Sequence, residues 1–139
     1  MGRPTSFRLP AELMARLEEE AVAAGVTVSG LVTSLLDEGL TVRRFPGVAF
    51  RDGPAGRRAG LVGGPDIWEV IRDVQAAPAR GERRIRRVAT DAGLTEAQVR
   101  LAVDYYAAFP ADIDRRLATE ERAGARLRDM VTRRERLTG

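Results

Sequence analysis

Residues 5–40 read as one short alternating strand and two amphipathic helices, a unit too small to bury the apolar face it carries. In Thr5-Ser6-Phe7-Arg8-Leu9, Phe7 and Leu9 point to one face while Ser6 and Arg8 point to the other. Pro10 suits the first position of a helix, and Leu13, Met14, Leu17, Ala21 and Ala24 follow at helical spacing. Gly25-Val26-Thr27 breaks the run, with Thr27 a good N-cap. A second helix then carries Leu31, Val32, Leu35, Leu36 and Leu40. One strand and two helices cannot close a core. Two copies can, by pairing their strands into a ribbon and merging their helices into one interior. The ribbon's outer face then presents positions 6 and 8 of both chains.

The strand SFRLP, the helix AELMARLEEEAVAAG and the turn Gly25-Val26-Thr27-Val28-Ser29 resemble the ribbon-helix-helix family of DNA-binding proteins, as in CopG-type repressors and many antitoxins. The resemblance covers Arg3 to Val42. It implies a homodimer whose paired strands lie in the major groove of double-stranded operator DNA. Ser6 and Arg8 would then face base edges, with Arg3 on the backbone. Thr27, Val28 and Ser29 would offer backbone N–H groups to a phosphate at a helix N-terminus. Members of the family often carry a basic residue just inside that second helix. Val28 stands there instead, so contact rests on backbone and hydroxyl.

Composition narrows the chemistry. The chain has 139 residues, and 44% hydrophobic content supports a core, mostly aliphatic because only 5% is aromatic. All 23 basic residues are arginine, giving a net charge of +3 and favouring an acidic partner. Histidine and cysteine are absent, which excludes zinc fingers, Ser-His-Asp triads, Cys-His dyads and disulfides. The carboxylates open to metal-dependent chemistry are Asp112 with Asp114 and the run Glu18-Glu19-Glu20. Asp112 and Asp114 diverge on a helix and read better as first-turn acids facing its dipole. No enzyme, metal site or cofactor is expected. No apolar run approaches the roughly 20 residues of a membrane span, and no signal-peptide pattern opens the sequence, so a cytoplasmic location is expected.

A second module begins at residue 45. Val48–Arg51 and Arg57–Val62 flank Asp52-Gly53-Pro54-Ala55-Gly56 as a hairpin. Its basic cluster, Arg51, Arg57 and Arg58, suits either a wing tracking a nucleic-acid backbone or a solvated face. Ile67, Val70, Ile71 and Val74 then form a helical stripe, with Trp68 beside it. Arg83 to Ala89 predicts a further helix, Ala92-Gly93-Leu94 a tight turn, and Thr95-Glu96-Ala97-Gln98 a capping box. Val99, Ala102, Val103 and Tyr106 supply the next buried stripe. Ala89, Gly93 and Val99 match the small residue, turn glycine and aliphatic of a helix-turn-helix. The segments FPGVAFRDGPAGRRAGLVGGPDIWEVI and LTEAQVRLAVDYYAAFPADID resemble a winged-helix-like domain of VapB-class antitoxins, most characteristically from Val103 to Asp114. That resemblance implies a cognate PIN-like ribonuclease toxin. If this module also meets DNA, Arg83, Arg84, Arg87, Thr95 and Arg100 form a second contact set, with Arg86 alongside. The Tyr105-Tyr106 pair is alternatively a protein-binding surface.

A helix starts at Pro110-Ala111-Asp112, but residues 126–139 are rich in arginine and thin in apolar anchors. Alone, such a segment is a marginal helix and suits folding onto a partner. Leu117, Arg126, Leu127, Arg128, Met130, Val131, Arg133 and Arg134 are the expected toxin contacts, their arginines pairing with carboxylates of a nuclease site.

The resulting expectation is a mainly α chain. Residues 1–44 form a ribbon-helix-helix, 45–117 a hairpin plus helix-turn-helix, and 118–139 a toxin-binding helix or tail. The function that follows is an antitoxin and autorepressor. Two alternatives stay open: a stand-alone ribbon-helix-helix regulator without a toxin, and a nucleic-acid-free dimeric scaffold.

Overall fold

The structure, a computed structural model, describes residues 2–139. Two compact units follow one another along the chain, divided between Arg44 and Phe45.

The first unit is a helix pair. Helix α1 (Ala11–Ala24) ends at Gly25, whose φ of 66° is left-handed. The N–H of Val26 reaches back to the Ala21 carbonyl at 3.0 Å and that of Gly25 to Val22 at 3.2 Å. Glycine takes that conformation without a Cβ penalty, which closes the helix sharply. The chain turns by 100° into α2 (Val28–Arg44). Thr27 caps α2 as its residue type predicts, its Oγ1 accepting the Gly30 N–H at 3.0 Å. Residues 5–9 form no strand in the single chain, contrary to the alternation in their sequence. A strand's backbone groups need a neighbouring strand, and the first unit supplies none. Leu17 and Ala21 are the only buried apolar residues among those described in this unit.

The second unit has its own core. Strands β1 (Val48–Arg51) and β2 (Arg58–Leu61) pair antiparallel, with Val48 opposite Leu61 and Phe50 opposite Ala59. Val48 and Leu61 face inward and are almost fully buried. Helix α3 (Ile67–Ala76) lays Ile67, Val70 and Ile71 against them, the stripe its sequence predicts. Helix α4 (Gly81–Ala92) runs two residues earlier and three later than its apolar spacing suggests. It stops at Gly93, again left-handed at φ 67°. Helix α5 (Glu96–Ala108) starts with the expected reciprocal cap. Thr95 N–H donates to Gln98 Oε1 at 2.9 Å, and Gln98 N–H donates to Thr95 Oγ1 at 3.1 Å. Its buried face is Val99, Ala102 and Tyr105, not Tyr106. Phe45 and Phe109 draw Tyr105 inward, with ring centroids 5.7 and 5.0 Å from it. Tyr106 instead donates its hydroxyl to Asp114 at 2.8 Å, which raises its pKa.

Helix α6 (Pro110–Thr138) runs unbroken for 29 residues. Ile113 enters the core and Leu117 packs on its edge. From Glu121 on, every residue but Gly124 is exposed. The marginal tail of the sequence reading is therefore helical here, continued from an anchored first half that removes its nucleation cost.

Candidate nucleic-acid interface

In the first unit, apolar side chains gather where one chain cannot cover them. Phe7 is 77% exposed, Leu36 56% and Leu40 68%, and Leu9, Leu13, Met14 and Leu35 are also open. A notch in this unit is lined by Leu13, Leu17 and Leu35 together with Arg16, Glu19 and Glu20. Soluble chains rarely leave contiguous apolar surface of this kind unless it meets a partner.

The residues singled out for base and phosphate contact flank that surface. Arg3, Ser6 and Arg8 are exposed, and neither arginine makes an ion pair among the described residues. Thr27 and Ser29 are exposed, and Val28 is half-buried. The N–H groups of Val28 and Ser29 lie in the first turn of α2, where no intrahelical acceptor exists by position. The Gly30 N–H is already taken by Thr27, whose own O–H remains a donor. An anion at this terminus would therefore meet two amides and one hydroxyl, aided by the helix dipole.

The second set is arranged differently. Arg84 donates to the Ala79 carbonyl at 2.6 Å, and Arg87 pairs with Asp91 at 2.7 Å. Arg100 donates to Glu82 on α4 and pairs with Glu96 at 3.2 Å. The hydrogen bond that Arg100 donates to Glu82 holds its proton more tightly than usual. The Thr95 hydroxyl is occupied in its cap. Arg83 and Arg86 are exposed and have no partner among the described residues. The α4–α5 corner thus spends most of its polar groups on its own geometry.

In the hairpin's basic cluster, Arg57 is exposed and pairs with Asp52 at 3.3 Å, whereas Arg51 and Arg58 turn to Asp66. Arg51 donates from Nε to Asp66 Oδ1 at 2.9 Å and from Nη2 to the Gly64 carbonyl at 2.8 Å. Arg58 donates to the other oxygen of Asp66, and the Trp68 indole N–H donates there at 3.2 Å. The Asp66 N–H donates to Glu69 Oε2 at 2.9 Å, closing the start of α3. Burial alone would raise the Asp66 pKa, but the bonds from Arg58, Arg51 and Trp68 outweigh it and hold the carboxyl below its usual range. Sequence reasoning missed Asp66 as a hub. Its only local signal is a capping position after Gly63-Gly64-Pro65.

Tyr105 is buried, which removes the Tyr105-Tyr106 pair as a joint protein-binding surface. Of the expected toxin contacts, Leu117 is half-buried against the core. Arg126, Leu127, Arg128, Met130, Val131, Arg133 and Arg134 are all exposed on the distal half of α6. Asp112 accepts from Arg115, and Asp114 accepts from Tyr106. No cluster of three or more potential metal ligands occurs among the described residues. No single helix is long and apolar enough to cross a membrane.

Residues 8–44 match the family described as "CopG-like RHH_1 or ribbon-helix-helix domain". The match takes in Arg8 and the start of α2 but begins after Arg3 and Ser6, and it ends where the first unit ends. The match covers about a quarter of the chain, and the family it resembles is one of DNA-binding regulators that typically dimerise. No curated protein matches the chain. No solved structure matches it either.

Proposed function

We propose that the chain is a dimeric operator-binding repressor and that it also serves as the antitoxin of a ribonuclease toxin. The observation that carries the repressor reading is the incomplete first unit. Its segment 5–9 has no strand partner, and its apolar face from Phe7 to Leu40 has no cover. A second copy supplies both at once. The paired strands then place Ser6 and Arg8 of each protomer on one outer face, at a spacing suited to base edges in a major groove. Arg3 and the α2 N-terminus hold the flanking phosphates. Affinity falls steeply with salt as arginine–phosphate contacts release counterions.

Gel shifts on the chain's own promoter test this. Arg8→Ala is expected to abolish the shift while leaving the oligomeric state unchanged. A normal shift by that variant overturns the ribbon assignment.

A specific observation favours the antitoxin role. Past Glu120, α6 leaves the core and presents Leu127, Met130 and Val131 among arginines with nothing packed on them. A helix of this kind suits a groove in a partner, with apolar anchors flanked by guanidinium forks. Arg126, Arg128, Arg133 and Arg134 are the groups that would meet nuclease carboxylates. Deleting residues 122–139 should preserve the promoter shift and relieve inhibition of a ribonuclease encoded beside this chain. Full inhibition by the shortened chain would refute the placement of the toxin-binding site in residues 122–139.

A further inference from the structure

Between Arg51 and Arg116, every arginine but three is paired with a carboxylate or bonded to a backbone carbonyl. The three are Arg80, Arg83 and Arg86, all exposed and without a partner among the described residues. They recur every third residue, Arg80 at the N-cap of α4 and the others within it. Side chains so spaced are neighbours on a helix surface, about 4.5 Å apart along its axis.

The acids of α4 do not neutralise this ridge. Glu82 accepts from Arg100, and Asp91 accepts from Arg87. Arg80 and Arg83 also stand at the positive end of the helix dipole, where stability favours acids. An anion there would be drawn by the guanidiniums and by the dipole together. A protein groove suits the ridge poorly, because no large apolar side chain between Val62 and Leu127 is exposed to anchor one.

We propose that Arg80, Arg83 and Arg86 make a second, sequence-independent contact to the phosphates of duplex DNA. The choice of a duplex rests on the operator-binding reading. A duplex held by the first unit is at high local concentration for the second, since one chain joins them. Duplex DNA carries a charge every ~1.7 Å of its axis, so a short cationic ridge faces several phosphates. The contact falls to the outer ridge of α4 and not to the start of α5. There Thr95 is spent in its cap, and Arg100 is held by Glu82 and Glu96.

Anisotropy titrations by the full chain test this, using its own promoter and a scrambled duplex of equal length over a series of salt concentrations. Arg83→Gln with Arg86→Gln removes two charges and keeps a good helix former at each position. The pair should weaken binding to both duplexes by the same factor, about tenfold for two exposed charge contacts. The slope of log affinity against log salt should fall by about two for each protomer whose ridge reaches DNA. Arg83→Lys with Arg86→Lys should restore most of the slope, since lysine also serves phosphate as a point charge. Arg72→Gln with Arg115→Gln removes equal charge from exposed, already paired arginines and should leave affinity and slope nearly unchanged. The proposal is overturned if the ridge variant binds both duplexes like wild type, if the paired-arginine variant weakens them equally, or if lysine restores nothing. It is also overturned if the loss appears only with RNA of the same sequence. A wild type that does not prefer its promoter would sink the operator reading alone, and an equal loss on both duplexes would still support the ridge.

Discussion

Arg51 and Arg58 stand directly opposite each other at the last paired position before the hairpin turn. Like charges at such positions repel and destabilise a sheet. Asp66 removes that penalty by accepting one arginine on each oxygen. Two glycines make the arrangement possible. A Cβ on Gly60 would overlap the Arg51 guanidinium, and one on Gly53 would overlap that of Arg58. Each guanidinium lies against bare backbone to reach a carboxylate from the far side of the ribbon.

Gly60→Ala should therefore act through Arg51. Alanine is intrinsically better than glycine in a strand, so the substitution would stabilise a hairpin that did not need the space. Here it displaces the guanidinium from Asp66 and Gly64, at about 1–3 kcal/mol for the lost charged hydrogen bonds. In an Arg51→Ala background the same change should cost little or nothing. Denaturant unfolding of the four proteins in a double-mutant cycle measures the coupling. Additive costs would show that Gly60 serves some other packing need.

The same hub makes the second unit acid-sensitive. The folded-state pKa of Asp66 lies below its ordinary value, so its ionised form is the stabilising one. That contribution is complete above the unfolded pKa of about 4 and is lost as pH falls through the folded value. Asp66→Ala leaves two arginines facing each other without a counter-charge and should cost about 3 kcal/mol at neutral pH. Its stability should also lose much of the wild type's decline below pH 4. Trp68 fluorescence during unfolding across pH 2–7 reads both effects, and an unchanged acid slope in the variant would place the decline elsewhere.

Much of this fold is legible because its signals are local. The Thr27 and Thr95 caps, the glycine stops at residues 25 and 93, and the stripe from Ile67 each depend on neighbours within a turn or two. Legibility ends where a distant partner decides. Helical spacing from Val99 and Ala102 points equally to Tyr105 and Tyr106, and it is Phe45, 60 residues away by number, that selects Tyr105. Arg51 and Arg58 read as surface charge until Asp66 is seen beside them. The strand at residues 5–9 is the opposite case. Its alternation is plain in the sequence, yet the first unit holds no other strand on which to express it.

Gly93 tests the corner between α4 and α5. Its φ of 67° is left-handed, and a Cβ there would meet nothing within 4 Å. Gly93→Ala should thus cost only the conformational penalty, about 1 kcal/mol. Gly93→Asn should cost less, since asparagine tolerates that region. A loss well beyond 2 kcal/mol in thermal unfolding would point to a steric role that the open space does not support.

Leu36 tests whether the first unit needs a second copy. It is more than half exposed in the single chain, so Leu36→Glu should be nearly neutral if the unit folds alone. If α2 packs against its mate, the change buries a carboxylate in each protomer, at a cost of several kcal/mol apiece, on the order of 3 or more. The two units give separable readouts. Far-UV circular dichroism reports α1 and α2, of 14 and 17 residues, together with the rest of the chain. Trp68 reports the second unit alone, because the first contains no tryptophan. In Leu36→Glu the helical signal should fall at micromolar concentration while the Trp68 transition stays where it was. Dilution of the wild type should move the first transition and not the second, since only the first depends on association. A variant with full helical signal and an unchanged sedimentation profile would mean that the apolar face of α2 is not where two chains meet.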